Sequence, residues 1–178
     1  MKYFLTIIFI FISMNLNAQD CIDRTKEIRS ILRSKKVTSY DAKVVGACIK
    51  NNTLYVTLIV DGNYTIALRN LGLTSRQVGY VQTLQPYFES VELVFKKFPE
   101  INDFVMYYVD YEKVTDSYGN FKENKKIIHM TLGMFRETAN KINWKYINAN
   151  IKAAIIYKDE EFKKIIGMLD VMEINSNE

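Results

Sequence analysis

The segment DFVMYYVDY at 103–111 constrains the fold most, because it is apolar on both faces of an extended chain. Successive residues of a strand point to opposite faces of the sheet. They divide here into two apolar sets: Phe104, Met106 and Tyr108, and Val105, Tyr107 and Val109. A strand that is covered on both faces is typical of the interior of a sheet. The chain must therefore supply further strands on either side of this one.

A first hairpin precedes this strand. The runs VVGACIK and TLYVTLIV flank Asn51 and Asn52, and asparagine tolerates the positive φ of a two-residue turn. This turn predicts one apolar face made of three pairs, Ile49 with Leu54, Ala47 with Val56 and Val45 with Leu58. The other face would hold Cys48 with Val44, Tyr55, Thr57 and Ile59.

A second hairpin joins the central strand to KKIIHMTLGM at 125–134 through the loop TDSYGN. Alternation in this last strand predicts that Ile128, Met130, Leu132 and Met134 point inward. By the same alternation, Ile127, His129, Thr131 and Gly133 point outward.

Helices are predicted around these hairpins. A first helix runs from about Cys21 to Lys35 with Asp20 as its cap, and a last helix begins near Asp159. The sequence TSRQ at 74–77 matches a capping box, and the apolar stripe that follows keeps its phase across Pro86. This favours one long, kinked helix ending near residue 98. FRETANKI at 135–142 forms a short helical piece, whereas 150–157 is compatible with either helix or strand.

These elements predict an α+β fold. A mostly antiparallel sheet of about four strands, in two hairpins, would pack with the long kinked helix and with the N- and C-terminal helices. Glycine and proline are scarce, at 7 and 2 residues, and no linker interrupts the chain. We therefore expect residues 19–178 to form a single α+β domain.

The N-terminal residues 1–18 match a secretory signal peptide. Lys2 is followed by an apolar run from Tyr3 to Met14, which is shorter than the roughly 20 residues of a membrane span. Ala18 is the expected cleavage site. We therefore expect a bacterial protein that is periplasmic or secreted and keeps no stable transmembrane span after cleavage. An uncleaved N-terminal anchor is the alternative.

Two cysteines, Cys21 and Cys48, remain after cleavage. An even number of cysteines in an oxidising compartment predicts a disulfide, which would stabilise the domain by roughly 3–4 kcal/mol. Gln19 and Asp20 before Cys21 are too large for lipoprotein processing. If the disulfide forms, the first helix lies on the Cys48 face of the hairpin or crosses its edge. The ligand pattern favours no metal site, and no cofactor motif is present.

Few residues are candidates for catalysis. His129 is the sole histidine, and a surface or packing role is favoured for it. Asp110 and Glu112 lie two residues apart on one strand face, a spacing compatible with glycoside chemistry, although a solvated strand end explains them as well.

Binding candidates are the tyrosines of the second hairpin, Tyr107, Tyr111 and Tyr118. Aromatic rings on an exposed sheet face stack on sugars or hold a peptide. Core packing is the favoured alternative for most of them. Basic and acidic residues are interleaved, with a net charge of +4, which argues against a nucleic-acid partner. A protein or glycan of the cell envelope is the partner we expect.

One segment resembles part of a group of small, uncharacterised exported bacterial proteins that carry D-x-Y-G-N followed by I-N-W. The matching residues are Asp116, Tyr118, Gly119, Asn120, Ile142, Asn143 and Trp144. The resemblance implies no reaction, and it suggests that the corner between the last strand and the following helix is a structural unit.

The leading functional hypothesis is therefore an exported, non-catalytic binding or envelope-associated module. A small periplasmic hydrolase using His129 or the Asp110 and Glu112 pair is the first alternative. A proteinaceous inhibitor is the second.

Overall fold

The computed structural model describes residues 21–34, 43–59, 69–157 and 159–175. The predicted signal peptide, its cleavage at Ala18 and the predicted cap Asp20 lie outside these residues. Within them, one six-stranded sheet carries helices packed against one of its faces. The strands are β1 (Ile22–Asp23), β2 (Lys43–Lys50), β3 (Thr53–Ile59), β4 (Asp103–Thr115), β5 (Phe121–Phe135) and β6 (Val171–Ile174). The helices are α1 (Thr25–Ser34), α2 (Ser75–Lys97), α3 (Arg136–Ala139), α4 (Trp144–Tyr157) and α5 (Asp159–Ile166).

The strands lie in the sheet in the order β1-β2-β3-β4-β5-β6, which is their order along the chain. The β3–β4 pair is parallel, and helix α2 forms the crossover between these two strands. The other four pairs are antiparallel. The α+β class is thus confirmed, and the central position of 103–111 within β4 is as predicted.

The predicted sheet of about four strands, made mostly of antiparallel hairpins, is wrong. Both hairpins exist, but their neighbouring strands β3 and β4 run parallel to each other. Strands β1 and β6 extend the sheet at its two edges. These edge strands have two and four residues, which is too short for an alternating pattern to be recognised. Their conformation depends on the strands with which they pair.

The core face of the sheet is built from rows of apolar side chains that cross several strands. One row joins Ile49, Leu54, Phe104 and Met134, and the next joins Ala47, Val56, Met106 and Leu132. Each of these residues is buried. The first hairpin turns at Asn51 and Asn52, whose φ angles of 50° and 59° match the predicted turn.

Two β-bulges break the predicted alternation. In β2 the register shifts between Val44 and Gly46, so Val44 rather than Val45 pairs with Leu58 and lies on the core face. In β5 the shift falls at His129, and Ile128 then pairs with Val109 on the opposite face instead of pointing inward. A bulge inserts one extra residue into a strand and reverses the alternation beyond it.

Helix α2 is one continuous helix with Pro86 inside it, and its capping box is present. The Thr74 hydroxyl accepts a hydrogen bond from the Gln77 amide, and the Gln77 side chain accepts from the Thr74 amide. Buried tyrosines fasten this helix to β4. The Tyr87 hydroxyl donates to the Phe104 carbonyl, and the Tyr108 hydroxyl donates to the Thr83 carbonyl. Burial raises the pKa of both phenols well above the usual range.

Cys21 and Cys48 form the predicted disulfide, with their Cα atoms 5.5 Å apart. The helix that follows Cys21 starts at Thr25, later than predicted, because residues 22 and 23 pair with β2 as strand β1. The Asp23 carboxylate then accepts from the Thr25 amide and hydroxyl at the helix start. Crossing the sheet edge at β1 brings α1 to the core face, where Ile28 is fully buried. Of the two predicted placements, the crossing of the edge is therefore the one observed.

Side chains of α1 also complete the hydrogen bonding of the β2 edge. The Thr25 hydroxyl accepts from the Ala47 amide at 2.9 Å, and Arg29 Nε donates to the Val44 carbonyl at 2.9 Å. Unpaired strand edges invite pairing with other chains. Helix α1 therefore covers this edge as well as packing on the core.

Candidate functional site

The three residues considered for catalysis do not line the cleft that the structure describes. His129 is exposed at the β5 bulge, and its carbonyl accepts from the Asn175 amide. Asp110 is exposed, and its carboxylate accepts from the Tyr111 amide at 2.7 Å. Glu112 pairs with Lys125 in the β4–β5 ladder, and its side chain lies outside the described part of the structure.

The three tyrosine candidates occupy separate places. Tyr107 is half-buried and stacks on Tyr55, with ring centroids 6.2 Å apart and planes within 3°. Burial, with smaller contributions from Tyr55 and Glu173, raises its pKa, so the phenol stays protonated at neutral pH. Tyr111 is 41% exposed, and Tyr118 at the hairpin tip is 89% exposed. The Tyr107 ring is therefore packed against Tyr55 on the neighbouring strand, whereas the Tyr118 ring is largely exposed to solvent.

A cleft of about 320 Å³ opens where helix α2 ends and the chain turns from β5 into α4. Its lining combines apolar and polar side chains: Glu92, Phe95, Lys96, Arg136, Ala139, Asn140, Ile142 and Trp144. The volume is at the lower end of the range of small-molecule sites, roughly 300–1,000 Å³.

Arg136 holds the two sides of this cleft together. Its guanidinium donates to the carbonyls of Ile101 at 2.7 Å, Phe95 at 3.1 Å and Phe98 at 2.7 Å. It also lies over the Phe95 ring, 4.7 Å from the centroid. Carbonyls at a helix C-terminus lack partners within the helix, and a cation is favoured there. Arg136 is thus committed to the fold, and it fixes the α2 end against the start of α3.

The aromatic wall on the other side is fixed in the same way. The indole Nε1–H of Trp144 donates to the Ala139 carbonyl at 3.0 Å. Asn143 caps helix α4, because its side-chain oxygen accepts from the Tyr146 amide at 3.1 Å. The ring orientation is therefore set by hydrogen bonds on both sides of the α3–α4 turn before any ligand arrives.

The polar groups at the mouth of the cleft are available. Glu92, Lys96 and Asn140 are exposed, and within the described ranges their side chains make no hydrogen bond or ion pair. They offer a carboxylate acceptor, an ammonium donor and an amide that does both. The cleft therefore combines a fixed aromatic wall with three free polar side chains.

The sequence drew attention to only part of this site. Ile142 and Trp144 belong to the I-N-W motif, and the suggestion of a structural unit rested on it. Glu92, Lys96 and Asn140 were missed, because solvent-facing polar residues on a helix carry no signal of what lies across from them. These side chains line one cleft only because α2 packs against the α3–α4 turn.

No group of three or more His, Cys, Asp or Glu residues in the described ranges is placed to hold a metal ion. Among the same residues, none of the helices combines the length and the apolar character required to cross a bilayer. The chain matches no family model, no curated protein and no solved structure.

Proposed function

We propose that this protein is an exported, non-catalytic binding module that recognises a saccharide in the cleft between α2 and the α3–α4 turn. The observation that carries the proposal is the fixed ring of Trp144, which lines the same cleft as the three free polar side chains. The predicted export signal and the Cys21–Cys48 disulfide support a location in the envelope or outside the cell.

The chemistry of a sugar ring matches this lining. A pyranose presents C–H groups on its faces and hydroxyls around its rim, and each hydroxyl both donates and accepts hydrogen bonds. An aromatic side chain covers the apolar face, while Asn140, Glu92 and Lys96 serve the rim.

The sole tryptophan makes the test specific to this site, because Trp144 lines the cleft. We would titrate residues 19–178 with N,N′-diacetylchitobiose and with cellobiose and follow the indole emission. Saturable changes with at least one disaccharide are expected, and calorimetry should give the same dissociation constant.

Two asparagine variants provide a matched comparison. N140A removes an amide from the cleft and should weaken binding about tenfold, the effect of losing one to two hydrogen bonds to the ligand. N148A changes another exposed asparagine, on α4, that does not line the cleft, and should bind as the parent does. Absence of saturable binding with both sugars, or equal weakening by both variants, would reject the proposal.

A further inference from the structure

Two residues of opposite charge, Glu92 and Lys96, lie one turn apart near the end of helix α2, and both line the cleft. A glutamate four residues before a lysine is the order in which two such side chains pair most favourably along a helix. Here, however, neither side chain makes an ion pair or a hydrogen bond with any described residue. Both charges are therefore presented at the cleft without being neutralised by direct contact with each other.

A second glutamate and lysine with the same spacing and order do form a pair. Lys141 Nζ donates to Glu137 Oε1 at 2.8 Å, although the two side chains are 71% and 84% exposed. Exposed pairs of this kind contribute little to stability. A ligand that offers a partner to each charge of the cleft therefore meets little competition from an internal ion pair.

The third charged side chain in the lining of the cleft is Arg136. Its guanidinium donates to three main-chain carbonyls, and two of these lie at the end of α2, where the helix dipole is negative. The Arg136 charge is thus engaged within the fold. Among the side chains that line the cleft, Glu92 and Lys96 are the ionised groups that a ligand can engage, and their charges sum to zero.

This arrangement favours a ligand that carries both signs of charge. Side chains four residues apart on a helix lie about 5–6 Å from each other. A negative group that is attracted by Lys96 is therefore also repelled by Glu92, and a positive group near Glu92 is repelled by Lys96. A ligand with its cation toward Glu92 and its anion toward Lys96 is attracted by both residues.

We propose that the saccharide bound in this cleft is an amino sugar that carries an ammonium group and a carboxylate on neighbouring ring carbons. Glu92 accepts hydrogen bonds from the ammonium, Lys96 donates to the carboxylate, and Trp144 covers the apolar face of the ring. This inference rests on the saccharide site proposed above and adds the charges of the ligand. A carboxylate fits better than a phosphate monoester, whose charge of about −1.5 to −2 would exceed that of Lys96 beside Glu92.

Four monosaccharides separate the two charges. N-acetylglucosamine is neutral, glucosamine carries only the ammonium, N-acetylmuramic acid carries only the carboxylate, and muramic acid carries both. We would titrate residues 19–178 with each sugar at slightly acidic pH, where the sugar amines are protonated, and follow Trp144 emission. Muramic acid should bind about tenfold more tightly than N-acetylglucosamine, and each singly charged sugar should bind within about threefold of it.

Variants that neutralise one charge should shift the ranking of the sugars in opposite directions. In E92Q, the repulsion of a carboxylate is removed, so N-acetylmuramic acid should bind more tightly and an ammonium should no longer help. In K96Q, glucosamine should bind more tightly and a carboxylate should no longer help. K97Q and E100Q change exposed residues that do not line the cleft, and should rank the four sugars as the parent does.

Muramic acid that binds no more tightly than the better of the two singly charged sugars would overturn this inference. The same ranking of the sugars in E92Q, K96Q and the parent would also overturn it. If N,N′-diacetylchitobiose or cellobiose still gave saturable binding, the saccharide site would stand and its charge selectivity alone would be wrong. If none of the sugars bound, the saccharide site and this inference would both be rejected.

Discussion

Replacing Arg136 should lower the stability of the whole domain, although this side chain is only half-buried. The guanidinium donates to the carbonyls of Phe95, Phe98 and Ile101 and lies over the Phe95 ring. In R136A, these carbonyls lose their donor at the end of the longest helix. In R136K, a positive charge remains, but a single ammonium cannot reproduce the planar fork.

The magnitude follows from the contacts. We assign about 1 kcal/mol to each of the three hydrogen bonds, a low value because water can partly replace the donor at a half-buried site. The cation–π contact adds about 0.5 kcal/mol. The loss in R136A is then about 3.5 kcal/mol, which lowers the melting temperature of a domain of this size by roughly 7–14 °C. R136K should lose about half as much.

Urea unfolding of residues 19–178, followed by circular dichroism and by Trp144 emission, measures the change in unfolding free energy. The two probes should give the same midpoint if the domain unfolds as one unit. R69A is the control, because the Arg69 side chain is exposed and makes no contact of this kind within the described ranges. A loss below about 1 kcal/mol in R136A, or an R136K variant as stable as the parent, would refute the reasoning.

Three further substitutions test other contacts. Reducing the Cys21–Cys48 bond, or replacing both cysteines by alanine, should cost about 3.5 kcal/mol for a loop with a sequence separation of 27, measured by urea unfolding; a loss under about 1 kcal/mol would contradict it. Y108F removes the donor to the Thr83 carbonyl and should cost about 1–2 kcal/mol, whereas unchanged stability would show that this carbonyl needs no donor. G133A places a Cβ 3.0 Å from that of Val171 and should cost about 1–3 kcal/mol; a crystal structure of an equally stable variant would show the edge strand displaced.

The sequence was informative wherever a local pattern and the packing agreed. The turn at Asn51 and Asn52, the capping box at Thr74 and the central place of β4 each follow from neighbouring residues. The Cys21–Cys48 pairing followed from the cysteine count alone. For the turn, the capping box and β4, the residues that decide the structure lie within one segment. For the disulfide, two cysteines allow only one pairing.

Bulges and edge strands could not be predicted, because they depend on strands that are distant in the sequence. Val45 and His129 are extra residues in their strands, and either could have continued the alternation. Their position is decided by the pairing of the whole sheet. Likewise, Cys21 has helical spacing to Ile28, yet the residue after it pairs with Ile49 in the sheet. The cleft could not be predicted for the same reason, because Glu92 and Asn140 line it together only after α2 has packed.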